Sequence, residues 1–308
     1  MGGYLEELTL RLASGLAALP DATRARHVTY LRECQQPDGG FPGREGGSDL
    51  YYTGFALRSL AMLGELHGDT AEKAAGFLAS RLTHRESVIE LISLVYSALL
   101  LDLSAGIDIA DRAGTDWRKA IVASLAALRR ADGGYAKTAR GSVSSTYHSF
   151  LAVVGLQLLG QPVPDPQRLV EFVLSQRIAG GAFREIRVAQ RGGTNPTAAA
   201  VATLRILAAL TAEQRAETID FLASMQTEEG GLRANTRIPV ADLLSTFTGL
   251  LTLGDLDAGS ALRVGDVRNY VQACERSAGG FHGAAWDDGH DVEYTFYGLG
   301  CLGLLTML

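Results

Sequence analysis

The stretch Gly279-Gly280-Phe281-His282-Gly283-Ala284-Ala285-Trp286-Asp287-Asp288-Gly289-His290-Asp291-Val292-Glu293-Tyr294-Thr295-Phe296-Tyr297-Gly298-Leu299-Gly300-Cys301-Leu302 decides the fold. It reads as a glycine turn, a polar loop, an Asp helix cap and then a helix with no polar face. The same order stands near the start of the chain, where Gly39-Gly40-Phe41 leads to Asp49-Leu50-Tyr51-Tyr52-Thr53. Working outward, glycine pairs begin at positions 39, 133, 180, 230 and 279, so the intervals are 94, 47, 50 and 49 residues. The first interval is two periods, and its missing pair is expected near Glu86, in the short turn Thr83-His84-Arg85-Glu86-Ser87. Six repeated units follow, which makes repetition the first fact about this fold.

A period that runs through all 308 residues argues for one continuous body rather than two domains. With 47% hydrophobic and only 20% charged residues, much of the chain must be buried. No uninterrupted apolar run reaches the roughly 18 residues of a membrane span, and the longest candidate, from Val88 to Leu101, is broken by Glu90. No membrane span is therefore expected, and the residues after Met1 show no basic secretory leader. Three cysteines without metal-like spacing, Cys34, Cys274 and Cys301, point to a cytoplasmic setting. A net charge of -6 argues against a nucleic-acid partner.

Each unit reads as two helices of different kind. First helices carry charged faces, as with Arg24, Arg26, Arg32 and Glu33; second helices are apolar or small all round, as in Thr197-Ala198-Ala199-Ala200-Val201-Ala202-Thr203-Leu204. A helix apolar on every side needs neighbours on every side. Six inner helices encircled by six outer ones meet that demand, so the expectation is an all-α, α/α toroid with a central funnel and with every inner helix opening at one end. The segment Tyr4 to Leu19, with Leu5, Leu8, Leu10, Leu12 and Leu16, is expected to form a capping helix on the first unit. Helix starts are expected at Pro196, capped by Asn195, at Asp266, and after Gly114-Thr115-Asp116.

Turns of the form Gly-Gly-Phe followed by a polar loop and Asp-x-x-x-Thr resemble the repeats of the protein prenyltransferase β subunits and of the squalene and terpene cyclases. The resemblance spans five of the six units and is closest to the geranylgeranyltransferase type II β subunit. It implies an isoprenoid diphosphate as substrate and, if prenyl transfer to a protein is the activity, an α-subunit partner. Those transferases bind zinc through an Asp, a Cys two residues later and a His on the last inner helix. Here Asp242 stands at or one place from the Asp, Leu243 or Leu244 takes the Cys position, and Tyr294 takes the His position. The family zinc site is therefore expected to be absent; a relocated set of His290, Asp291 and Glu293 is the weaker reading, since Asp291 is more simply a helix cap. The phosphate-binding His of the family falls near Gly192-Gly193 and is not preserved either.

Proton-initiated cyclases use an Asp-x-Asp-Asp-Thr run, which Asp291-Val292-Glu293-Tyr294-Thr295 resembles at three places. Glu293 stands where the proton donor would be, and desolvation in an apolar funnel would raise its pKa as a general acid needs. The plain alternative is a first-turn acid favoured by the helix dipole. Such cyclases usually pair two toroids, whereas this chain has one. Asp291 and Glu293 are thus the catalytic candidates, supplying an acid or a Mg²⁺ contact.

Loop charge is uneven. Units three to five supply Lys137, Arg140, Arg184, Arg187, Arg191, Arg233 and Arg237, opposed chiefly by Glu185, while units one and six supply Glu45, Asp49, Asp287, Asp288, Asp291 and Glu293. Of these, Arg184, Arg191, Arg233 and Arg237 are expected to hold a diphosphate, since Arg forks suit phosphate and a dry pocket suits the chain. The aromatic residues Tyr51, Tyr147, Phe247, Tyr294 and Tyr297 at inner-helix starts are expected to line the tunnel; packing explains such rings equally well. The functional expectation is an enzyme that transfers or cyclises a prenyl diphosphate. The alternatives are a non-catalytic toroid that binds a lipid or a protein and, more weakly, an α/α-barrel glycosidase, which needs paired carboxylates across its cavity.

Overall fold

A computed structural model describes residues 3–82, 87–109 and 117–308. A lone helix, α1 (Tyr4–Ala17), precedes the repeats. Outer and inner helices then alternate: α2 (Asp21–Cys34) and α3 (Leu50–Met62), α4 (Gly68–Ser80) and α5 (Val88–Ala105), α6 (Trp117–Leu128) and α7 (Thr146–Leu158). The second half continues with α8 (Pro166–Ser175) and α9 (Thr194–Ile206), α10 (Ala212–Ser224) and α11 (Leu243–Asp255), α12 (Val264–Cys274) and α13 (Val292–Leu305). Each inner helix packs on the next, and α13 packs back on α3, so the ring closes. Strand structure among the described residues is confined to three antiparallel two-residue pairs that brace loops, such as Phe281–His282 against His290–Asp291.

The glycine turns are what join one unit to the next. Gly39 has φ 88°, and a Cβ there would stand 2.1 Å from the Lys73 carbonyl of the following outer helix. Gly279, with φ 92°, repeats the contact at the seam, where a Cβ would lie 2.4 Å from the Arg26 carbonyl of α2. Only glycine lets two backbones approach so closely in the left-handed region. After four of the five turns the next residue's N–H donates to a hydroxyl in the fourth position of the inner helix: Phe41 to Thr53, Tyr135 to Ser149, Phe183 to Thr197 and Leu232 to Thr246. The Thr of the repeated motif is thereby a structural acceptor. Its Asp is a helix cap, since Asp49, Asp242 and Asp291 each accept from the N–H three residues on, as Ser87 and Ser145 do.

Loops are stitched across units as well. The first N–H of α5, α7, α9 and α11 donates to a carbonyl of the next unit's loop, at Lys137, Glu185, Ala234 and Gly283. At the seam an ion pair does this work: Arg44 of the first loop reaches Asp291 at 3.0 Å and Asp287 at 2.8 Å.

Several local expectations change. Helix α9 starts at Thr194 rather than Pro196, with Gly193 as cap; Pro196 sits in the first turn, where its missing N–H has no helical partner to lose. Asn195 is therefore helical, and its side chain accepts from Thr248 at 2.6 Å. Helix α12 starts at Val264, so Asp266 is a first-turn acid paired with Arg263. The shortened turn at 83–86 and the Gly114-Thr115-Asp116 cap lie outside the described residues, but for Ser87, which caps α5.

Helix α1 does more than cover the first unit. It packs on α13, α3 and α7, across the end of the ring where the inner helices finish. Tyr4 donates to Asp255 at 2.9 Å, Arg11 pairs with the same carboxylate at 2.8 Å, and Thr306 donates to the Gly15 carbonyl. Five of its residues, Tyr4, Leu5, Leu8, Thr9 and Leu12, form the floor of the funnel. Helix α5 is long and apolar enough to cross a membrane by composition, yet it is a mostly buried stave of the ring.

Candidate active-site cavity

Closure leaves a cavity of about 360 Å³ between the six inner helices, within the range of small-molecule sites. Its mouth is set by the second residue of each inner helix: Tyr51, Ile89, Tyr147, Asn195 and Leu244 line it, and Glu293 holds the sixth place. One turn down follow Phe55, Leu151, Thr248 and Tyr297 beside Phe247 and Phe296; near the floor stand Met62 and the leucines of α1. The walls carry tilted and edge-on rings, with Phe55 and Phe247 each in contact with both Phe296 and Tyr297 at 5.3–5.6 Å. Tyr51, Tyr147, Phe247 and Tyr297 thus reach the place expected of them.

Tyr294 does not. It faces a polar vestibule of about 410 Å³ outside the mouth, shared with Arg44, Glu45, Tyr52, Asp291 and Glu293. Arg44 lies 5.1 Å from its ring centre, and burial pushes its hydroxyl up to about 12.

Glu293 stands between the two spaces. Its Oε1 accepts from Tyr51 at 2.5 Å and from Tyr297 at 3.2 Å, both cavity-lining phenols. Oε2 makes no hydrogen bond among the described residues. Burial raises the pKa of this carboxyl and Asp291 adds to the shift, while the two phenols oppose it. Asp291 has both oxygens engaged, one by the Tyr294 N–H at 2.8 Å and the other by Arg44, so it positions the helix start.

The four rim arginines are not brought together at the mouth. Arg184 donates to the Ser175 carbonyl and Arg233, one repeat later, to the Ser224 carbonyl. Both guanidinium groups thereby satisfy the last carbonyls of outer helices, the ordinary place for a basic side chain near a helix C-terminus. Arg191 and Arg237 are exposed on their loops, and none of the four lines the cavity. The remaining positions of the zinc comparison are equally occupied: Asp242 accepts from both the N–H and the hydroxyl of Ser245, and Leu243 is fully buried.

Two charged residues that were not among the expected site residues do line the cavity. Glu185, from the opposite side of the ring, accepts from the Ser145 hydroxyl, and burial raises its pKa. Arg58 projects from α3 into the aromatic wall. The signal for Arg58 was a single cation in the middle of an apolar inner helix. No cluster of three or more His, Cys, Asp or Glu side chains suited to a metal ion occurs among the described residues.

Comparison with known proteins agrees with this geometry. The model of the prenyltransferase alpha-alpha toroid domain matches residues 8–183 and 142–308. A squalene–hopene cyclase from Bradyrhizobium diazoefficiens is 40% identical over 81 residues, which is 24% of this chain and 12% of that enzyme's length. Protein geranylgeranyltransferase-I of Candida albicans, solved with GGPP, superposes with TM-score 0.73 at 14% identity, covering 91% of this chain and 90% of that one. The type II terpene cyclase MstE from Scytonema, solved with geranylgeranyl dihydroxybenzoate, superposes with TM-score 0.61 at 13% identity and 98% coverage of both chains. One toroid of this size thus spans nearly the whole of that solved chain. An α-1,6-mannanase from Salegentibacter sp. HEL1_6 is also similar, with TM-score 0.64 at 12% identity, covering 92% of this chain and 98% of that one, so the architecture alone does not assign a reaction.

Proposed function

Because the chain belongs to the prenyltransferase alpha-alpha toroid family, we propose that it is an acid-initiated isoprenoid cyclase, acting on a prenyl diphosphate or a related polyprenyl chain folded in the cavity. Glu293 is the proton donor. The observation that carries the reading is its carboxyl: desolvated, held at the mouth by two phenols on Oε1, with Oε2 left to carry the proton. That proton forms a C–H bond with an alkene carbon, the other carbon becomes a tertiary carbocation, and an inner alkene attacks it to close a ring. A final C–H bond gives its electrons back as an alkene, and the proton goes to a base, so no oxidant or reductant is needed. The faces of Tyr51, Phe55, Phe247 and Phe296 are suited to a passing cation.

Prenyl transfer by the zinc route fits the residues less well. A zinc ion would need Asp242, whose oxygens are taken by Ser245, and would meet Leu243 or Leu244 and Tyr294 where thiolate and imidazole are required. Asp291 likewise has no free oxygen to offer a Mg²⁺ ion. The cyclase reading also needs no partner subunit.

The test is incubation with prenyl diphosphates of 10, 15 and 20 carbons, with products identified by mass spectrometry after dephosphorylation. Ring-containing alcohols are expected, and Glu293→Gln should lower the rate about 10²–10⁴-fold, the usual worth of a general acid. Glu185→Gln serves as the control for a merely buried acid. Tight binding without product in every arm would overturn catalysis in favour of a lipid-binding toroid.

A further inference from the structure

Arg58 lines the cavity as a cation that no carboxylate pairs with among the described residues. Its Nε donates to the Gly54 carbonyl at 2.9 Å, and its guanidinium carbon lies 4.3 Å from the Phe55 ring centre, 5.1 Å from Phe296 and 5.7 Å from Tyr96. It forms no ion pair among the described residues. Arg205, the other arginine of an inner helix, behaves differently: it pairs with Asp255 at 2.7 Å, outside the cavity lining. Arg58 is half-buried, and a guanidinium partly withdrawn from water is best matched by an anion with hydrogen-bond acceptors, of which ring faces replace only part. Arg58 therefore has the form of half an ion pair.

Its depth matters. Folding back over Phe55 places the guanidinium about one helical turn, or about 6 Å, below Tyr51 and the mouth. Below it the wall is Met62, Leu251, Leu5, Leu8 and Leu12, with few groups to solvate a charge. An unneutralised guanidinium there would also repel any carbocation formed in the same space.

We propose that Arg58 anchors an anion subsite within the cavity, and that this chain's isoprenoid carries an acidic head group, carboxylate or phosphate, bound beneath the mouth instead of at the rim. The proposal rests on the isoprenoid reading of the cavity. It adds the head group, its location and a consequence for shape. With the head at Arg58 and the reacting alkene at Glu293, both polar contacts lie in the upper half of a cavity floored by α1. The chain between them must bend through the apolar lower half, which is the folded form that ring closure requires.

The test is direct binding, measured by calorimetry without turnover, of probes sharing a farnesyl chain: farnesol, farnesoic acid, farnesyl monophosphate and farnesyl diphosphate. The acids are expected to bind at least about tenfold tighter than farnesol, equal to about 1.4 kcal/mol. Arg58→Met should erase that preference and leave farnesol within about twofold, whereas Arg58→Lys should keep part of it. Comparing farnesoic acid with the two phosphates tells which anion the subsite prefers. Circular dichroism and melting of both variants check that they fold, and Arg58→Lys carries the test if Arg58→Met does not. Equal binding of acid and alcohol by the unaltered protein overturns the proposal, as does a preference that survives Arg58→Met but is lost in Arg191→Ala/Arg237→Ala. Failure of every probe to bind, farnesol included, would instead remove the isoprenoid reading itself.

Discussion

Replacing Gly279 by alanine should weaken the ring at its seam, and the size of the effect can be worked from local geometry. At φ 92° an L-residue costs about 1–2 kcal/mol. The new Cβ would also stand 2.4 Å from the Arg26 carbonyl oxygen and 2.9 Å from Tyr30 Cβ, and forcing atoms into such a packed contact costs about 1–3 kcal/mol more. Gly46 is the control, because it has φ 88° but nothing within 4 Å of its added Cβ, so Gly46→Ala meets only the conformational cost. The difference between the two variants, about 1–3 kcal/mol, is the part owed to the seam and is large beside a total stability of roughly 5–15 kcal/mol. Guanidinium chloride unfolding at matched m-values reads the difference, and a fluorescent prenyl probe reads whether the cavity survives. Equal destabilisation of the two variants would refute the idea that the Gly279–Arg26 contact holds the ring closed.

Four other predictions follow from single contacts. Thr246→Val leaves the buried Leu232 N–H without an acceptor, so it should cost about 1–3 kcal/mol and speed exchange of that amide. Tyr4→Phe removes a donor from the nearly buried Asp255, and a loss of about 1–2 kcal/mol in unfolding free energy is expected, smaller than full loss of the carboxylate because Arg11 and Arg205 remain. Glu293 has a folded pKa raised above the ordinary 4.5, so its contribution is complete below that value and is lost as pH rises through the folded one; Glu293→Gln should gain stability relative to the unaltered protein on moving to neutral pH, and a constant difference across pH would contradict the raised pKa. His148 is held neutral by burial, its pKa lowered from 6.5 to about 4 with Lys137 adding to the shift, so its share of stability is present above 6.5 and is lost as pH falls toward 4. His148→Gln should flatten that part of the acid unfolding curve.

The way a contact is read changes once the same position is seen in several units. Asp-x-x-x-Thr looked chemical at Asp291 to Thr295, yet the same cap serves Asp49 and Asp242, and the same acceptor recurs at Thr53, Thr197 and Thr246. What is left over after the repeat is subtracted is Glu293, in a ring position held elsewhere by Tyr, Ile, Asn and Leu. The rim arginines teach the converse. Arg184 and Arg233 looked like a phosphate grip by charge alone, but their equivalent bonds to Ser175 and Ser224 show a repeated structural role.

By itself the sequence determined the six-unit period, the alternation of charged and apolar helices, the Asp caps and the closed toroid, because each of these is written in local spacing and in how much of a helix can face water. Four of the five expected cavity aromatics came from the same logic, since a ring at an inner-helix start has few places to go. Only the tertiary structure decided where α1 lies, that Arg44 ties the last loop to the first, that Tyr294 faces the vestibule, and that Arg58 rather than the rim arginines enters the cavity. These depend on how each helix is rotated about its axis and on which distant segment meets it, and a long side chain such as arginine can reach either way from the same position in the chain.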